Sequence, residues 1–292
     1  MILCEGLTRS LDRNGIFDIS FQVEKGQALA LLGPADAGKS VLLRVLAGQV
    51  RQDAGKATIL GMDCWSMRQK IFEKTVYLPA SPCLEPKMTG EEYLRFTKDF
   101  FGDFNPQKAR DLTEKMDIAL TGQCGRMSPE ARKKLSLLAA LSQDKDVFLL
   151  DEPFSGLGPN ARNALYDVLQ DMRERGAAIL MTSHVLDEAR KACSHVSIIR
   201  KGRQVVTQAV EALSITRQKV YHITFSSPAE AADFAAEWEA GVELIGARAM
   251  VAIPSSPKTL LSTLARYDVV DFIGGREETE EGFLRYYGDD IV

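Results

Sequence analysis

The octapeptide Gly33-Pro34-Ala35-Asp36-Ala37-Gly38-Lys39-Ser40 has the spacing G-x-x-x-x-G-K-[ST], and the chemistry of that spacing is the capture of phosphate. Its glycines let the backbone turn so that several N–H groups point at one small volume, at a helix start whose dipole favours an anion. Lys39 adds a positive charge that reaches the outer phosphates, and the Ser40 hydroxyl is placed to ligate magnesium. The bare pattern arises by chance in about one chain in a hundred of this length. Here its setting argues against chance. The apolar run Ala28-Leu29-Ala30-Leu31-Leu32 precedes it, and Val41-Leu42-Leu43-Arg44-Val45-Leu46-Ala47 follows with helical spacing. Strand, glycine loop and helix come in the order that nucleotide binding requires.

A second group of polar residues closes later apolar runs. In Phe148-Leu149-Leu150-Asp151-Glu152-Pro153 a buried strand, expected beside the phosphate-loop strand, ends in Asp151 about where magnesium is held. Glu152 would then face the terminal phosphate. A carboxylate there accepts a proton from attacking water, or orients that water, so Glu152 is the general-base candidate. His184 follows Thr182-Ser183 at the end of the next apolar strand, a position that projects into the ligand crevice of a parallel sheet. It can hydrogen-bond the terminal phosphate and register its loss. A lone His is more often structural, but its place beside the Asp–Glu pair favours the functional reading.

The elements around these residues alternate. Phe17 to Val23 alternates apolar and polar as a half-exposed strand does. Between about Pro82 and Ser142 the pattern is helical: Glu91 to Phe96 starts one helix, Pro106 stands at the first position of another, and Pro129 to Leu141 reads as a third. Strands return at Val147–Leu150, Ala177–Thr182 and Val196–Ile199, with a helix from about Asn160 to Arg175 closed by Gly176. Repeated strand–helix–strand units build a parallel doubly wound sheet. After about Arg217 a separate pattern begins. It gives strands at 220–225, 242–245, 249–253 and 269–273, and helices from Pro228, over 260–267 and over 277–287. The order βαββαβ plus a helix suits a small ferredoxin-like module.

The chain has 292 residues, 45% hydrophobic and 26% charged, which suits two domains with a sizeable core. No apolar run approaches the roughly 20 residues that span a bilayer. Met1 to Glu5 shows no basic region leading into a long apolar one, which predicts no secretory signal. The net charge is −4, and the six acids and two arginines between Gly274 and Val292 account for all of it. The neutral remainder offers no electrostatic footprint for nucleic acid. Cys4, Cys64, Cys83, Cys124 and Cys193 are odd in number and lack C-x-x-C spacing, which favours a reducing compartment over a zinc site or a disulfide framework.

Over about Met1 to Leu213 the chain resembles the nucleotide-binding subunit of an ABC transporter. Gly33 to Ser40 matches its Walker A motif, Leu149 to Pro153 its Walker B motif with the catalytic Glu, Ser155 to Pro159 its D-loop and His184 its switch histidine. A separate ATPase chain with a short extension looks like those of bacterial type-2 exporters. The resemblance implies a P-loop NTPase of the α/β class: a RecA-like parallel sheet, an antiparallel β subdomain and a helical insert at about 82–142, all within 1–217. A small α+β domain would follow at 218–292. It implies ATP and Mg²⁺ as cofactors, with Gly33, Pro34, Ala35, Asp36, Ala37, Gly38, Lys39, Ser40, Val41 and Ser128 on the nucleotide and Ser40 and Asp151 on the metal. Glu152 and His184 would be catalytic. It further implies a transmembrane permease subunit as partner and a second ATP-binding subunit that closes the site across a dimer. The complex would sit on the cytoplasmic face of the membrane.

The departures from that family are specific. Its signature L-S-G-G-Q falls on Met127-Ser128-Pro129-Glu130-Ala131, where only Ser128 survives. Pro129 removes an N–H donor and Glu130 brings negative charge towards an anion. The Gln expected after Tyr77-Leu78-Pro79 is Ala80, the D-loop Asp is Gly158, and Val41 replaces a hydroxyl residue. No aromatic residue stands near Leu11 to stack on adenine, although Phe17 could move in. Asp36 occupies a place usual for small residues, yet Asp tolerates positive φ well enough for the loop to form. Two accounts follow: pairing with a more regular ATPase, or a homodimer with slow hydrolysis. The rival from another class is a nucleotide-gated docking subunit without meaningful turnover. A soluble ABC protein of translation or DNA repair would carry two ATPase halves or a long coiled-coil insert, and the chain has neither.

Overall fold

The computed structural model describes residues 1–11, 15–212, 219–238, 242–253 and 257–274. They belong to two compact units, Met1–Ala212 and Leu213–Val292. In chain order the first unit runs β1 (Ile2–Arg9), β2 (Ile16–Val23), β3 (Ala28–Leu32), α1 (Lys39–Leu46), β4 (Ala54–Ile59), β5 (Met62–Asp63), α2 (Arg68–Lys74) and β6 (Thr75–Leu78). It continues through α3 (Gly90–Phe101), α4 (Pro106–Lys115), α5 (Pro129–Leu141), β7 (Val147–Leu150), α6 (Pro159–Glu174), β8 (Ala178–Ser183), α7 (Leu186–Ala192), β9 (His195–Arg200) and β10 (Arg203–Ala209).

Ten strands form one sheet in the order β5-β4-β1-β2-β10-β9-β3-β8-β7-β6. Strands β9, β3, β8, β7 and β6 are parallel, and β3, β7 and β8 are buried along their whole length. That double burial is why they read as unbroken apolar runs. Strands β1, β2, β4 and β5 pair antiparallel as a wing, and β2 keeps the alternation its sequence predicts. The chain is therefore a P-loop NTPase fold with a parallel core and an antiparallel β subdomain. Between β6 and β7 the regular elements are helices, with isolated bridges from Thr89 to Gln123 and from Phe104 to Gln143. Each insert helix starts on a residue suited to the task. Thr89 and Glu92 form a capping box for α3, Asn105 caps α4 ahead of Pro106, and Ser128 caps α5 ahead of Pro129. Leu42, Leu43 and Leu46 of α1 pack into the main core, which fixes the helix that follows the phosphate loop.

The second unit runs β11 (Lys219–Phe225), α8 (Pro228–Glu237), β12 (Val242–Ile245), β13 (Arg248–Ile253), α9 (Lys258–Leu264) and β14 (Val269–Gly274). Its sheet has the order β12-β13-β11-β14 with every pair antiparallel, the split βαββαβ arrangement. Ile223, Phe225, Phe234, Val251 and Leu260 form its own core. Helix α9 stops three residues before the Tyr267 that the sequence pattern assigns to it. There Arg266 and Tyr267 turn back onto the carbonyls of Thr263 and Leu264. The helix expected over 277–287 and most of the acidic tail lie outside the described residues.

Candidate functional site

The phosphate loop joins β3 to α1, and its two glycines are demanded by close approach. A Cβ at Gly33 would stand 2.1 Å from the Ile199 carbonyl oxygen, and at Gly38 it would stand 2.5 Å from that of Gly15. Gly38 also takes φ 93°, and Asp36 takes φ 64°, as its tolerance of the left-handed region allows. Pro34, Ala35 and Asp36 are exposed at the loop tip, whereas Gly33, Ala37, Gly38 and Lys39 are buried and Ser40 and Val41 half-buried. Lys39 folds back over the loop. Its Nζ donates to the carbonyls of Gly33 at 2.6 Å and Pro34 at 2.8 Å. Burial pushes its ammonium below the usual lysine range, against the pull of Glu152, Asp151 and Asp36.

Asp151 and Glu152 leave the end of β7, and His184 leaves the end of β8. Strand β8 lies between β7 and the phosphate-loop strand β3, so β7 stands one strand further from the loop than the sequence predicts. Lys39 Nζ lies 3.9 Å from Glu152 Oε1, and His184 Nδ1 lies 3.0 Å from Glu152 Oε2. Lys39, Glu152 and His184 thus meet at one carboxylate, with Asp151 next to it in the chain. Glu152 takes φ 47°, a left-handed backbone that costs energy in a residue with a side chain. Thr182 holds the turn. Its Oγ1 donates to Asp151 Oδ1 at 2.6 Å and accepts from the Glu152 N–H at 2.8 Å. Sequence reasoning passed over Thr182, whose only signal is a hydroxyl at the end of an apolar strand. Ser183 and Glu188 continue the polar chain below, through a 2.6 Å hydrogen bond and a 3.2 Å contact from Glu188 to Arg162.

Within the chain Ser128 is a helix cap. Its hydroxyl accepts from the Ala131 N–H at 3.2 Å and caps α5. Glu130 does not extend outward as an unpartnered charge. Its Oε1 accepts from the Gly158 N–H at 3.0 Å and lies 3.4 Å from Lys134 Nζ. The Gly158 amide first, and then Lys134, hold the Glu130 carboxyl below the usual range. The two departures, Glu130 and Gly158, are thus contact partners. Phe17 is half-buried under the Arg203 guanidinium, 5.6 Å from its ring centre, and Leu11 is exposed.

The donor set suits a triphosphate and a hard cation. A buried ammonium already rests on loop carbonyls, where phosphate oxygens would compete for it. Asp151 offers a carboxylate that is 3% exposed, and Ser40 offers a hydroxyl. Oxygen ligands of this kind match Mg²⁺, which takes its remaining ligands from phosphates and water. Among the described residues no group of three or more His, Cys, Asp or Glu is placed to hold a metal ion.

Comparison with known proteins bears on the family and the fold. The family model described as ABC transporter matches residues 16–155, and a model of an AAA domain (putative AbiEii toxin, type IV TA system) overlaps residues 130–186. The Nod factor export ATP-binding protein I of Burkholderia thailandensis is 31% identical over 208 residues, 69% of this chain and 68% of that protein. The protein of the same name from Burkholderia lata is 29% identical over 288 residues, covering 96% and 94% of the two chains. Among solved structures, an ATP-binding subunit of an ABC transporter superposes with a TM-score of 0.67 at 24% identity, over 72% of this chain and 90% of the other. A dimeric ATP-binding cassette bound to ADP and Pi gives 0.64 at 16% identity, over 72% and 99%.

Proposed function

The chain belongs to the ABC transporter family of ATP-binding subunits, and from that premise we propose that it hydrolyses ATP to drive a membrane exporter from the cytosolic face. The observation that carries this reading is the meeting of Lys39 and His184 on the Glu152 carboxylate. Backbone N–H groups of Gly33 to Ser40 would take the phosphates, and Lys39 would leave its loop carbonyls for the outer ones. Ser40 and Asp151 would hold Mg²⁺, which when bound neutralises charge between the last two phosphates. Glu152 would orient the attacking water and take its proton. His184, hydrogen-bonded to Glu152, would fix the direction of that carboxylate and sense the terminal phosphate.

The relatives are named as export ATP-binding proteins, which supports a transmembrane permease subunit as partner. A second ATP-binding subunit would complete each site across a dimer. In this chain Glu130 and Pro129 stand where two glycines would let a backbone approach phosphate. Paired with a second subunit whose corresponding segment keeps its glycines, the nucleotide covered by Pro129 and Glu130 would be held with little turnover, and the Lys39–Glu152 site would do the work. The test is steady-state phosphate release from Mg²⁺-ATP by the full-length chain, alone and as purified with its membrane partner. ATP-dependent release is expected. Retained nucleotide binding without release in either preparation would favour the nucleotide-gated docking subunit instead.

A further inference from the structure

Lys133 lies on α5, five positions after its Ser128 cap, in the basic run Arg132-Lys133-Lys134. In the structure it is 4% exposed. Its Nζ donates to the Ala80 carbonyl oxygen at 3.0 Å. Ala80 lies just beyond β6, and β6 pairs with β7, whose end bears Asp151 and Glu152. The Asp151 N–H donates to the Leu78 carbonyl at 2.8 Å, which ties the two strand ends together. Strand order then arranges the charges. Lys39 is anchored on the loop after β3 and Lys133 on the segment after β6, and the two carboxylates leave β7 between them. Burial drives the Lys133 ammonium down to about 8, and Asp151 and Glu152 oppose that fall. A lysine is rarely buried at this depth without partners, and beyond the Ala80 carbonyl the charges that offset its desolvation are Asp151 and Glu152.

We propose that Lys133 is a positioning residue of the hydrolytic centre: its ammonium, held on the Ala80 carbonyl, is the fixed countercharge of the Asp151–Glu152 pair. The proposal rests on the reading of that pair as metal ligand and base. Lys39 is a mobile countercharge, because arriving phosphates draw it away from Glu152. Lys133 has no such competitor on its side. It keeps a positive charge near Glu152 when an anionic triphosphate arrives, and it also repels a cation at Asp151. Because it comes from the helical insert, any withdrawal of α5 from the sheet removes that charge from both acids.

Three full-length variants test it: Lys133→Met removes charge and donor, Lys133→Gln keeps a donor, and Lys133→Arg keeps the charge. Each is measured for kcat and KM with Mg²⁺-ATP, and for the Mg²⁺ concentration that half-saturates binding of a non-hydrolysable ATP analogue. The Met and Gln variants are expected to lose about tenfold in kcat with KM changed by less than about twofold, and to bind Mg²⁺ about threefold tighter. The Arg variant is expected to stay close to wild type in both. A Gln variant indistinguishable from wild type, or neutral variants that bind Mg²⁺ no tighter, would overturn the proposal and leave Lys133 a structural donor to Ala80. A wild-type chain that releases no phosphate would sink the hydrolytic reading, while the Mg²⁺ titration would still decide the countercharge.

Discussion

Glu152 and His184 face each other from the ends of adjacent strands, Oε2 to Nδ1 at 3.0 Å, although 32 positions separate them in the chain. Glu152 is largely buried and His184 about half exposed, so the pair spans the boundary between the site floor and solvent. A carboxylate held on one side by an imidazole and approached on the other by Lys39 has few orientations left. That restriction is what a water-positioning base requires.

Glu152→Gln keeps the shape and the hydrogen-bonding reach of the side chain and removes its basicity. Turnover is expected to fall by about a hundredfold or more, with nucleotide affinity unchanged within about twofold. Single-turnover phosphate release beside equilibrium binding checks this. Equal hydrolysis by mutant and wild type would refute Glu152 as the base.

Lys39→Ala removes the one buried ammonium that sits inside the phosphate loop. The expected result is a loss of ATP affinity of about a hundredfold or more, read by calorimetry or by displacement of a fluorescent nucleotide. Undiminished affinity would mean that the loop does not cradle the triphosphate.

Pro129→Gly combined with Glu130→Gly restores the one backbone N–H that proline lacks and removes the carboxylate now bound to Gly158. In a Glu152→Gln background this change should increase ATP-dependent association of subunits, measured by light scattering. Association that stays the same or weakens would show that the Glu130–Gly158 contact supports the interface rather than opposing it.

Burial pushes the Cys193 thiol from its ordinary 9.0 up to about 12, and Cys64 likewise to about 12. A raised folded value means that the stabilising term is complete below pH 9 and disappears as pH climbs through about 12, because only the unfolded chain ionises in between. Cys193→Ala should therefore flatten the decline of stability over that window by up to about 1.4 kcal/mol per pH unit. Denaturant midpoints taken between pH 8 and pH 11 give the comparison, and parallel curves for the two proteins would contradict it. At pH 8 the native protein should react with a maleimide at the exposed Cys83, and at the four buried cysteines only after unfolding.

What the sequence revealed most clearly is what local chemistry fixes. Pro129 to Leu141 and Val147 to Leu150 were readable to the residue, because a proline at the first helical turn and an unbroken apolar strand are local signals. The loop glycines, Lys39, Asp151 and Glu152 were legible because their spacing encodes the chemistry. The contact between Glu130 and Gly158 was not, since 28 positions separate the partners and nothing near either one announces the other. Lys133 was concealed for the opposite reason. It lies in a run of basic residues, and only the tertiary fold distinguishes the one that turns inward. Helix α9 ended early because its last turn is set by tertiary contacts of Tyr267, whose hydroxyl donates to Glu237 Oε2 at 2.6 Å.

The Thr182 hydroxyl, shared between Asp151 and the backbone of Glu152, makes the two acids a single inherited part. Neither can be re-aimed by a local mutation without dragging its neighbour along. A lineage that loses this one small alcohol forfeits the alignment of both, even though both acids remain in its sequence. Motif inspection alone would then count as intact a machine whose adjustment had already been lost.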